Sequence, residues 1–533
     1  MKNWTIILQM SAENNLYLDM VECFNTISTY EVSDKINFII LFDGPKDELE
    51  QNPEKEFPCI YEITKGMTYS RAVPIKNYGK EFEDLSNINN LSTILREVKQ
   101  LYPASHYGYI YSGHGGAGEG DISNGVFRTK LDRILPTERD EHGDVIEKML
   151  EKRLTIRGWR YEGYCELTEP GKKDIILVVY SQKTTNYLTY KGINKVLVNV
   201  FSGKELSFVF LDTCWGMMME NCYTFKDITE HFVATADEMP SSGVGYGSLI
   251  NLLNQWPQIK SEELAKLLVA VNYSNNYADY AKGRKEFENM GVSLSCTDVS
   301  KLEDIISGHF DPFCEYLITQ MKTIYPVFKK AAEQCNDYTY VDYSKPDAED
   351  YGVYNIDLIW FLENLMHFNK KGKKVIDVQL QLLASALVQQ VSLYLIKGYM
   401  SNNYEEAALG GKPVIGGKGI AITLPKDSEQ LANADMYKNG LSNFVANTKW
   451  KTLIKTYLKT VETFLKILKN NDKEAFDIEW GSIKNNEFTS LYFDNINNKS
   501  REEFIAEYKS FLEDAQTLRL SQKWSTLRRP LSQ

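Results

Sequence analysis

The sequence predicts an α/β fold with a mainly parallel β-sheet flanked by helices and a mostly helical C-terminal region. Through about residue 300, short apolar runs rich in β-branched residues alternate with segments that have apolar residues at helical spacing. Beyond that point helical patterns dominate. A chain of 533 residues has room for more than one core, so we expect a sheet domain over residues 1–300 and a helical region over 301–533.

The N-terminal segment predicts a parallel crossover unit. The runs WTIILQM, at residues 4–10, and INFIILF, at residues 36–42, are short and apolar, as expected of buried strands. Between them Leu18, Val21 and Phe24 recur at the spacing of one helix face. A strand, a helix and a second strand in this order normally form a parallel pair.

Three further strands end in loops that carry reactive or acidic side chains. Pro103 ends a helix, and the strand at residues 107–111 then enters SGHGG, which contains His114. LSFVFLD is followed by Cys214, and HFVATA is followed by Asp237. Because the carboxyl ends of parallel strands meet at one edge of a sheet, where ligands bind, we expect these three residues to share one cleft.

The interval between His114 and Cys214 contains an insertion at about residues 118–205. Its first half is rich in charges, which is typical of an exposed loop. It also contains DIILVVYS, a predicted strand, and YKGINKVLVNVF, a predicted helix. After the insertion we expect a helix at SEELAKLLVAVNYS and a strand at GVSLSCTDV.

The C-terminal region is predicted to be helical apart from one strand. Helices are expected at FCEYLITQMKTIYPVFKKAAEQC, IDLIWFLENLMHF and VIDVQLQLLASALVQQVSLYLIKGYM, and two more near the end of the chain. GKGIAITLP, at residues 417–425, is the late strand.

Composition narrows the classes of partner and cofactor. The 60 basic and 72 acidic residues give a net charge of −12, which argues against nucleic acid or an anionic membrane as the main partner. No apolar run is long enough to span a membrane, and the apolar start at residues 4–10 is too short for the core of a secretory leader. We therefore expect a cytoplasmic protein, or a secreted one if a leader was removed. The eight cysteines show no metal-ligand spacing, and no cofactor is expected.

His114 and Cys214 are the candidates for nucleophilic chemistry. A neighbouring imidazole raises the thiolate fraction of a cysteine and so makes it a nucleophile. The backbone N–H groups of Gly115 and Cys214 are candidates for holding the oxyanion of a tetrahedral intermediate. Glycines around a reacting histidine let a substrate approach the main chain closely. The alternative is that Cys214 is an inert cysteine at the end of a core strand.

Five segments resemble the clostripain family of cysteine peptidases, which shares its clan with caspases and gingipains. They are NWTIILQMSAENNLYLDM, LREVKQLYPASHYGYIYSGHGG, FVFLDTCWGMMMENCYTFKD, and GKGIAITLP with the later MYKNGLSNFVANTKWKTLIKTYL. The resemblance implies a caspase-like sheet and a cysteine endopeptidase that acts on proteins or peptides. It implies His114 as general base and acid and Cys214 as nucleophile.

The resemblance also implies a specificity pocket for arginine or lysine. Asp212 matches the family's acidic residue in that pocket, where a carboxylate can pair with a basic side chain. The alternative is that Asp212 caps its own turn. Asp237 matches a second acidic position less closely, since this chain lacks the usual Ser-Gln-Glu type of loop, and Glu238 is the other candidate. Gly245 and Tyr246 are candidates for the pocket wall, with a plain loop role as the alternative.

The resemblance also raises the possibility of regulation by self-cleavage or by calcium. Family members often cleave themselves after a basic residue between the histidine and the cysteine, which makes Lys152 and Arg153 candidates; the alternative is a solvated charged loop. Some members need calcium, and Glu119 and Asp121 offer two carboxylates, too few for a site. A protease activated by a regulatory partner or ligand, or a catalytically silent scaffold with the same sheet, are the alternative functions.

Overall fold

The structure is a computed structural model, and the part of the chain that it describes contains a central sheet with helices around it. The described residues are 1–12, 16–44, 58–82, 85–115, 121–122, 130–132, 160–169, 172–180, 188–236, 239, 244–271, 293–333, 335, 355–367, 369–370, 373–374, 377–400, 418–425, 442–470 and 503.

The described strands lie between residues 2 and 423. In chain order they are β1 (Lys2–Ser11), β2 (Ile36–Asp43), β3 (Cys59–Glu62), β4 (Lys76–Asn77), β5 (Ala104–Ser112), β6 (Asp121–Ile122), β7 (Lys130–Asp132), β8 (Arg160–Glu169), β9 (Lys172–Tyr180), β10 (Leu188–Thr189), β11 (Leu206–Asp212), β12 (Thr229–Thr235), β13 (Ser293–Asp298), β14 (Asn355–Asp357), β15 (Asn369–Lys370), β16 (Lys373–Lys374), β17 (Leu395–Met400) and β18 (Ala421–Thr423).

The described helices lie between these strands and after them. They are α1 (Tyr17–Ile27), α2 (Ile88–Leu101), α3 (Tyr190–Val200), α4 (Met219–Phe225), α5 (Tyr246–Gln255), α6 (Ser261–Val271), α7 (Leu302–Ile305), α8 (Asp311–Glu333), α9 (Leu358–His367), α10 (Val378–Tyr394), α11 (Asn443–Asn447) and α12 (Trp450–Asn470), with short 3₁₀ or π turns at Lys80–Phe82, Val299–Lys301 and Ile306–Phe310. None of these helices combines the length and the apolar character that crossing a membrane requires.

A nine-stranded sheet forms the centre of the fold, in the order β17-β13-β12-β11-β5-β1-β2-β3-β4. The five middle strands, from β12 to β2, run parallel to one another. The two strands at each edge are antiparallel to their inner neighbours. The predicted mainly parallel sheet is therefore confirmed, with β5 and β11 side by side in its middle.

Both faces of the sheet are covered, which explains why its strands are apolar without alternation. On one face Ile7 of β1 belongs to the same hydrophobic cluster as Leu95 of α2. On the other face Ile6 clusters with Phe24 of α1 and Leu249 of α5. Burial of apolar surface on both faces is the main stabilising term for such a sheet.

The C-terminal region contributes a strand to this sheet, which corrects the prediction of one long helix through Met400. Helix α10 ends at Tyr394, and Leu395–Met400 form β17, antiparallel to β13. The apolar periodicity of the sequence does not reveal this change from helix to strand. The extended conformation is selected by hydrogen bonding to the backbone of β13, which is distant in sequence. The late strand β18 is also shorter than predicted and pairs with β14, outside the central sheet.

The interval between His114 and Cys214, predicted to contain an insertion, has regular structure as well. The predicted strand is present as β9, and it forms a three-stranded sheet with β7 and with β8, which the sequence did not predict. The predicted helix is present as α3, whose Ile193 and Leu197 are buried in the same cluster as Leu95 of α2. The division at residue 300 stays a prediction; that cluster contains residues from both sides of it, including Leu211 and Trp450.

Candidate active site

The loops of His114 and Cys214 begin side by side at the carboxyl ends of two neighbouring strands. In the parallel pairing of β5 with β11, Ser112 lies opposite Asp212. One residue later, the backbone N–H of Gly113 donates a hydrogen bond of 3.3 Å to the carbonyl of Asp212. The two chains therefore leave the sheet together, although they are about 100 residues apart in sequence.

The residue after His114 lies directly against the Cys214 backbone. A Cβ atom on Gly115 would stand 2.0 Å from the carbonyl oxygen of Cys214 and 2.9 Å from the Cβ of Thr213. Both distances are shorter than van der Waals contact, so only glycine fits here. The sequence suggested that this glycine permits close approach of a substrate; the close approach that the structure shows is between the two loops.

The backbone after Cys214 is held in an unusual conformation. Trp215, which follows the cysteine, has φ of 51°, in the left-handed region that side chains disfavour. The next residues are fixed from two sides, because Asn221 Nδ2 donates to the Gly216 carbonyl at 2.9 Å and the Met217 N–H donates to the Thr235 carbonyl at 2.7 Å. Strained residues of this kind persist where surrounding contacts determine them, and they concentrate at functional sites.

The sulfur of Cys214 contacts the loop that follows β12. The backbone N–H of Met239 donates to Sγ at 3.2 Å, and the thiol faces the Met239 carbonyl oxygen at 3.7 Å. Cys214 is partly exposed. Asp237 and Glu238 precede Met239 but lie outside the described residues, so the second acidic position stays a prediction.

His114 has the electrostatic character of a proton acceptor. The residue keeps some exposure, but most of its surroundings are protein, and this burial lowers the pKa of His114 to about 4. The imidazole is consequently neutral near pH 7, with a ring nitrogen able to accept a proton.

Asp212 is a buried carboxylate, with only 3% of its surface exposed. Ser112 Oγ donates a hydrogen bond of 2.8 Å to Asp212 Oδ2, and the Tyr246 hydroxyl donates to the same oxygen. The other oxygen, Oδ1, is buried without a hydrogen-bond partner among the described residues. Burial raises the pKa of Asp212 to about 6, against the two hydrogen bonds, which lower it. Both described hydrogen bonds come from residues outside the turn that contains Asp212. This disfavours the alternative in which Asp212 caps its own turn.

Sequence reasoning missed several neighbours of these residues. Ser112 is the last residue of β5 and gave no signal of its contact with Asp212. Tyr190 was also missed; its hydroxyl lies 3.0 Å from Thr213 Oγ1, beside Cys214. Tyr246 was a candidate for the pocket wall, but nothing in the sequence indicated a hydrogen bond to Asp212. Such pairings depend on tertiary packing, which local patterns do not contain.

Most of the candidate residues for calcium binding and self-cleavage lie outside the described part of the chain. Glu119, Lys152 and Arg153 are not described, and of Asp121 only the backbone strand is described. Within the described part of the chain, no group of three or more His, Cys, Asp or Glu side chains is placed to hold a metal ion. Both expectations stay predictions.

Sequence comparison identifies the family of the protein that has this geometry. A sequence profile of the clostripain family, Peptidase_C11, matches residues 171–457, more than half of the chain. The chain belongs to the clostripain family. It is therefore a clostripain-like cysteine peptidase, as the resemblance implied. The matched range includes the Cys214 loop and Trp450, and it begins after His114.

Among solved structures, two clostripain-type proteases are similar to this clostripain-like peptidase. An inactive zymogen C11 protease from Parabacteroides distasonis is 13% identical, with a TM-score of 0.49, over 85% of this chain and 99% of the other. A secreted C11 cysteine protease from Bacteroides thetaiotaomicron, in complex with an irreversible peptide inhibitor, is 14% identical, with a TM-score of 0.48, over 85% and 99% of the two chains. No curated protein sequence matches significantly.

Proposed function

We propose that this clostripain-family peptidase is an endopeptidase that cleaves after arginine or lysine, with Cys214 as nucleophile and His114 as general base and acid. The observation that carries the proposal is the contact between Gly115 and the Cys214 backbone. It brings the loop of the neutral imidazole against the loop of the thiol at the carboxyl edge of the sheet, where ligands bind in open parallel sheets.

The reaction follows from the groups in this arrangement. The neutral His114 ring accepts the proton of the Cys214 thiol, and the sulfur attacks the peptide carbonyl. The imidazolium then returns the proton to the leaving amine, and water hydrolyses the resulting thioester. The Met239 N–H, 3.2 Å from Sγ, stabilises negative charge on the sulfur. For the oxyanion we propose the backbone N–H groups of Gly115 and Cys214.

The preference for basic side chains is assigned to Asp212. Its Oδ1 is buried and unpaired among the described residues, and such an atom is costly unless a ligand supplies a donor. A guanidinium or ammonium group supplies both the donor and the opposite charge. Asp237 is proposed as a second acidic residue of this pocket on the basis of the family resemblance alone.

Activation by self-cleavage at Lys152 or Arg153 rests on the same resemblance. These residues lie between β7 and β8, in the interval that separates His114 from Cys214. Cleavage there would place His114 on one chain and Cys214 on the other, and the two chains would stay associated in one protein. A cytoplasmic location likewise stays a prediction from the sequence.

The test uses fluorogenic peptides that differ only in the residue before the scissile bond: arginine, lysine, and their uncharged counterparts citrulline and norleucine. Wild-type protein should prefer the basic pair, and Cys214→Ala should lose turnover by about a thousandfold or more. Cys335→Ser is the control, since that thiol is buried and bonded to the Ala331 carbonyl at 3.0 Å; it should keep wild-type rates.

Intact-mass spectrometry separates this proposal from the alternatives. A thiol-directed inhibitor with a basic recognition residue should add one label to wild-type protein and none to Cys214→Ala. A catalytically silent scaffold would show neither label nor turnover. An enzyme that needs a regulatory partner or ligand would be labelled and active only after that addition, and self-cleavage would appear as two fragments that Cys214→Ala lacks.

A further inference from the structure

We propose that Tyr246 is a positioning residue for the basic side chain of the substrate: it holds one carboxylate oxygen of Asp212 and leaves the other for the substrate cation. This inference rests on the proposed function, because it assigns a cause to the preference for arginine and lysine.

The geometry around the carboxylate supports a division of labour between its two oxygens. Both described donors, the Tyr246 hydroxyl and Ser112 Oγ, bond to Oδ2 of Asp212. Two donors on one oxygen prevent the carboxylate from rotating freely about its last torsion. Oδ1 is consequently kept in one place, buried and unpartnered among the described residues. A substrate cation completes the carboxylate's hydrogen bonding without displacing either donor.

The hydroxyl of Tyr246 is positioned by the packing of its helix and not by Asp212 alone. Tyr246 is the first residue of α5 and has only 2% of its surface exposed. The next residue, Gly247, packs so closely on Tyr30 that a Cβ would stand 2.1 Å from its ring. At the other end of α5, Asn254 accepts from the Ser33 N–H at 3.0 Å and donates to the Glu31 carbonyl at 2.6 Å. Both ends of the helix are thus tied to the connection between α1 and β2.

Among the described residues, the groups that face Asp212 are neutral near neutral pH. They are Tyr246 from α5, Ser112 from β5 and Cys23 from α1. Burial, and then the charge of Asp212, raises the pKa of both Cys23 and Tyr246, so both stay neutral. The buried negative charge of Asp212 is complementary to the positive charge of arginine or lysine.

The hydrogen bond from Tyr246 also sets the pH at which Asp212 becomes charged. It lowers the pKa of Asp212, while burial raises it. Without the hydroxyl, the carboxyl group holds its proton to a higher pH. The preference for basic substrates should then begin at a higher pH than in the wild-type enzyme, which a merely structural tyrosine would not cause.

The experiment compares Tyr246→Phe with wild-type enzyme on arginine and citrulline substrates from about pH 5 to about pH 9. We expect kcat/KM for arginine to fall by about tenfold or more at the acidic end, mainly through KM. The acidic limb should move up by about one pH unit, and citrulline turnover should change by less than about twofold. Tyr109→Phe is the matched control, since it removes another buried tyrosine hydroxyl, bonded to Gln9 Oε1 at 2.7 Å; its limb should not move.

Two further variants keep the inference testable if Tyr246→Phe does not fold. Tyr246→3-fluorotyrosine, a stronger donor of nearly the same shape, should move the limb to lower pH. Ser112→Ala, which removes the other donor to Oδ2, should move the limb to higher pH. If folded Tyr246 variants keep the wild-type acidic limb of the pH–rate profile and the wild-type preference for arginine, the role of Tyr246 is overturned. The proposed function is not affected by that result. A wild-type enzyme without any preference for arginine over citrulline would instead overturn the proposed function.

Discussion

Gly115 lies so close to Cys214 that a Cβ atom at position 115 would stand 2.0 Å from the Cys214 carbonyl oxygen. The obstacle is backbone, which cannot turn aside as a flexible side chain can. The position of the His114 loop relative to the thiol loop therefore depends on the absence of one methyl group.

Gly115→Ala should separate these loops and abolish most activity. We expect kcat/KM to fall by about a hundredfold, since displacement of reacting groups by about 1 Å has effects of that size. Peptide hydrolysis measured with thermal unfolding checks this, because the loss should exceed any change in the folded fraction. Gly308→Ala is the control, since no described atom outside its own stretch of chain lies within 4 Å of its Cβ position. Wild-type kinetics in Gly115→Ala would contradict the close contact.

The pH dependence of cleavage should differ between charged and uncharged substrates. In the proposed pocket, Asp212, with a pKa of about 6, would bind a cation only when ionised, so kcat/KM for arginine substrates should decline as the pH falls through about 6. His114, with a pKa of about 4, stays in its basic form to lower pH, so citrulline substrates should decline only near that value. Rate profiles of the two substrates check this; coincident acidic limbs would contradict the separate roles.

Glu220 should make the protein less stable as the pH rises. This carboxyl group is buried, accepts from the Thr423 N–H at 2.9 Å, and has a pKa raised by burial from 4.5 to about 7. Between these values the native state keeps a proton that the unfolded chain releases, so the free energy of unfolding falls through that window by about 3 kcal/mol.

Glu220→Gln keeps the acceptor for Thr423 and removes the titration. Its free energy of unfolding, measured in urea at about pH 5 and about pH 8, should fall less between the two than that of the wild type. Asp212 titrates in both proteins, so the difference between them isolates Glu220. Equal declines in the two proteins would show that the buried Glu220 carboxyl group does not hold its proton as described.

Replacing Trp450 should destabilise the protein, because Trp450 bonds Thr423 of β18, which in turn bonds Glu220 on the Cys214 side of the fold. Trp450 is fully buried, and its Nε1 donates to the Thr423 carbonyl at 2.9 Å, on the same residue whose N–H bonds Glu220. Trp450→Phe removes that hydrogen bond and creates a cavity, which should cost about 2–4 kcal/mol. Trp256→Phe is the matched control, since Trp256 is 53% exposed and should change stability by less than about 0.5 kcal/mol. Equal unfolding midpoints in urea for both variants would contradict this connection.

The elements that could be predicted from the sequence are those with strong local patterns. The apolar runs of β1, β2, β5 and β11 are buried on both faces, so they are continuous and end abruptly in polar or glycine residues. For the same reason His114 and Cys214 could be placed at strand ends. Strand β17 could not be predicted, because its apolar residues continue the helical pattern of α10 and only the open edge of β13 selects the extended conformation.

The sequence by itself determined which residues are the candidates for the chemistry: a histidine among glycines, a cysteine after a buried strand, and an aspartate two positions before it. Only the tertiary structure decided how they are arranged. The pairing of β5 with β11, the contact of Gly115 with Cys214 and the hydrogen bond from Tyr246 to Asp212 join distant segments. The physical reason is that strand order and side-chain packing depend on long-range burial and hydrogen bonding, whereas sequence patterns report the burial of each segment alone.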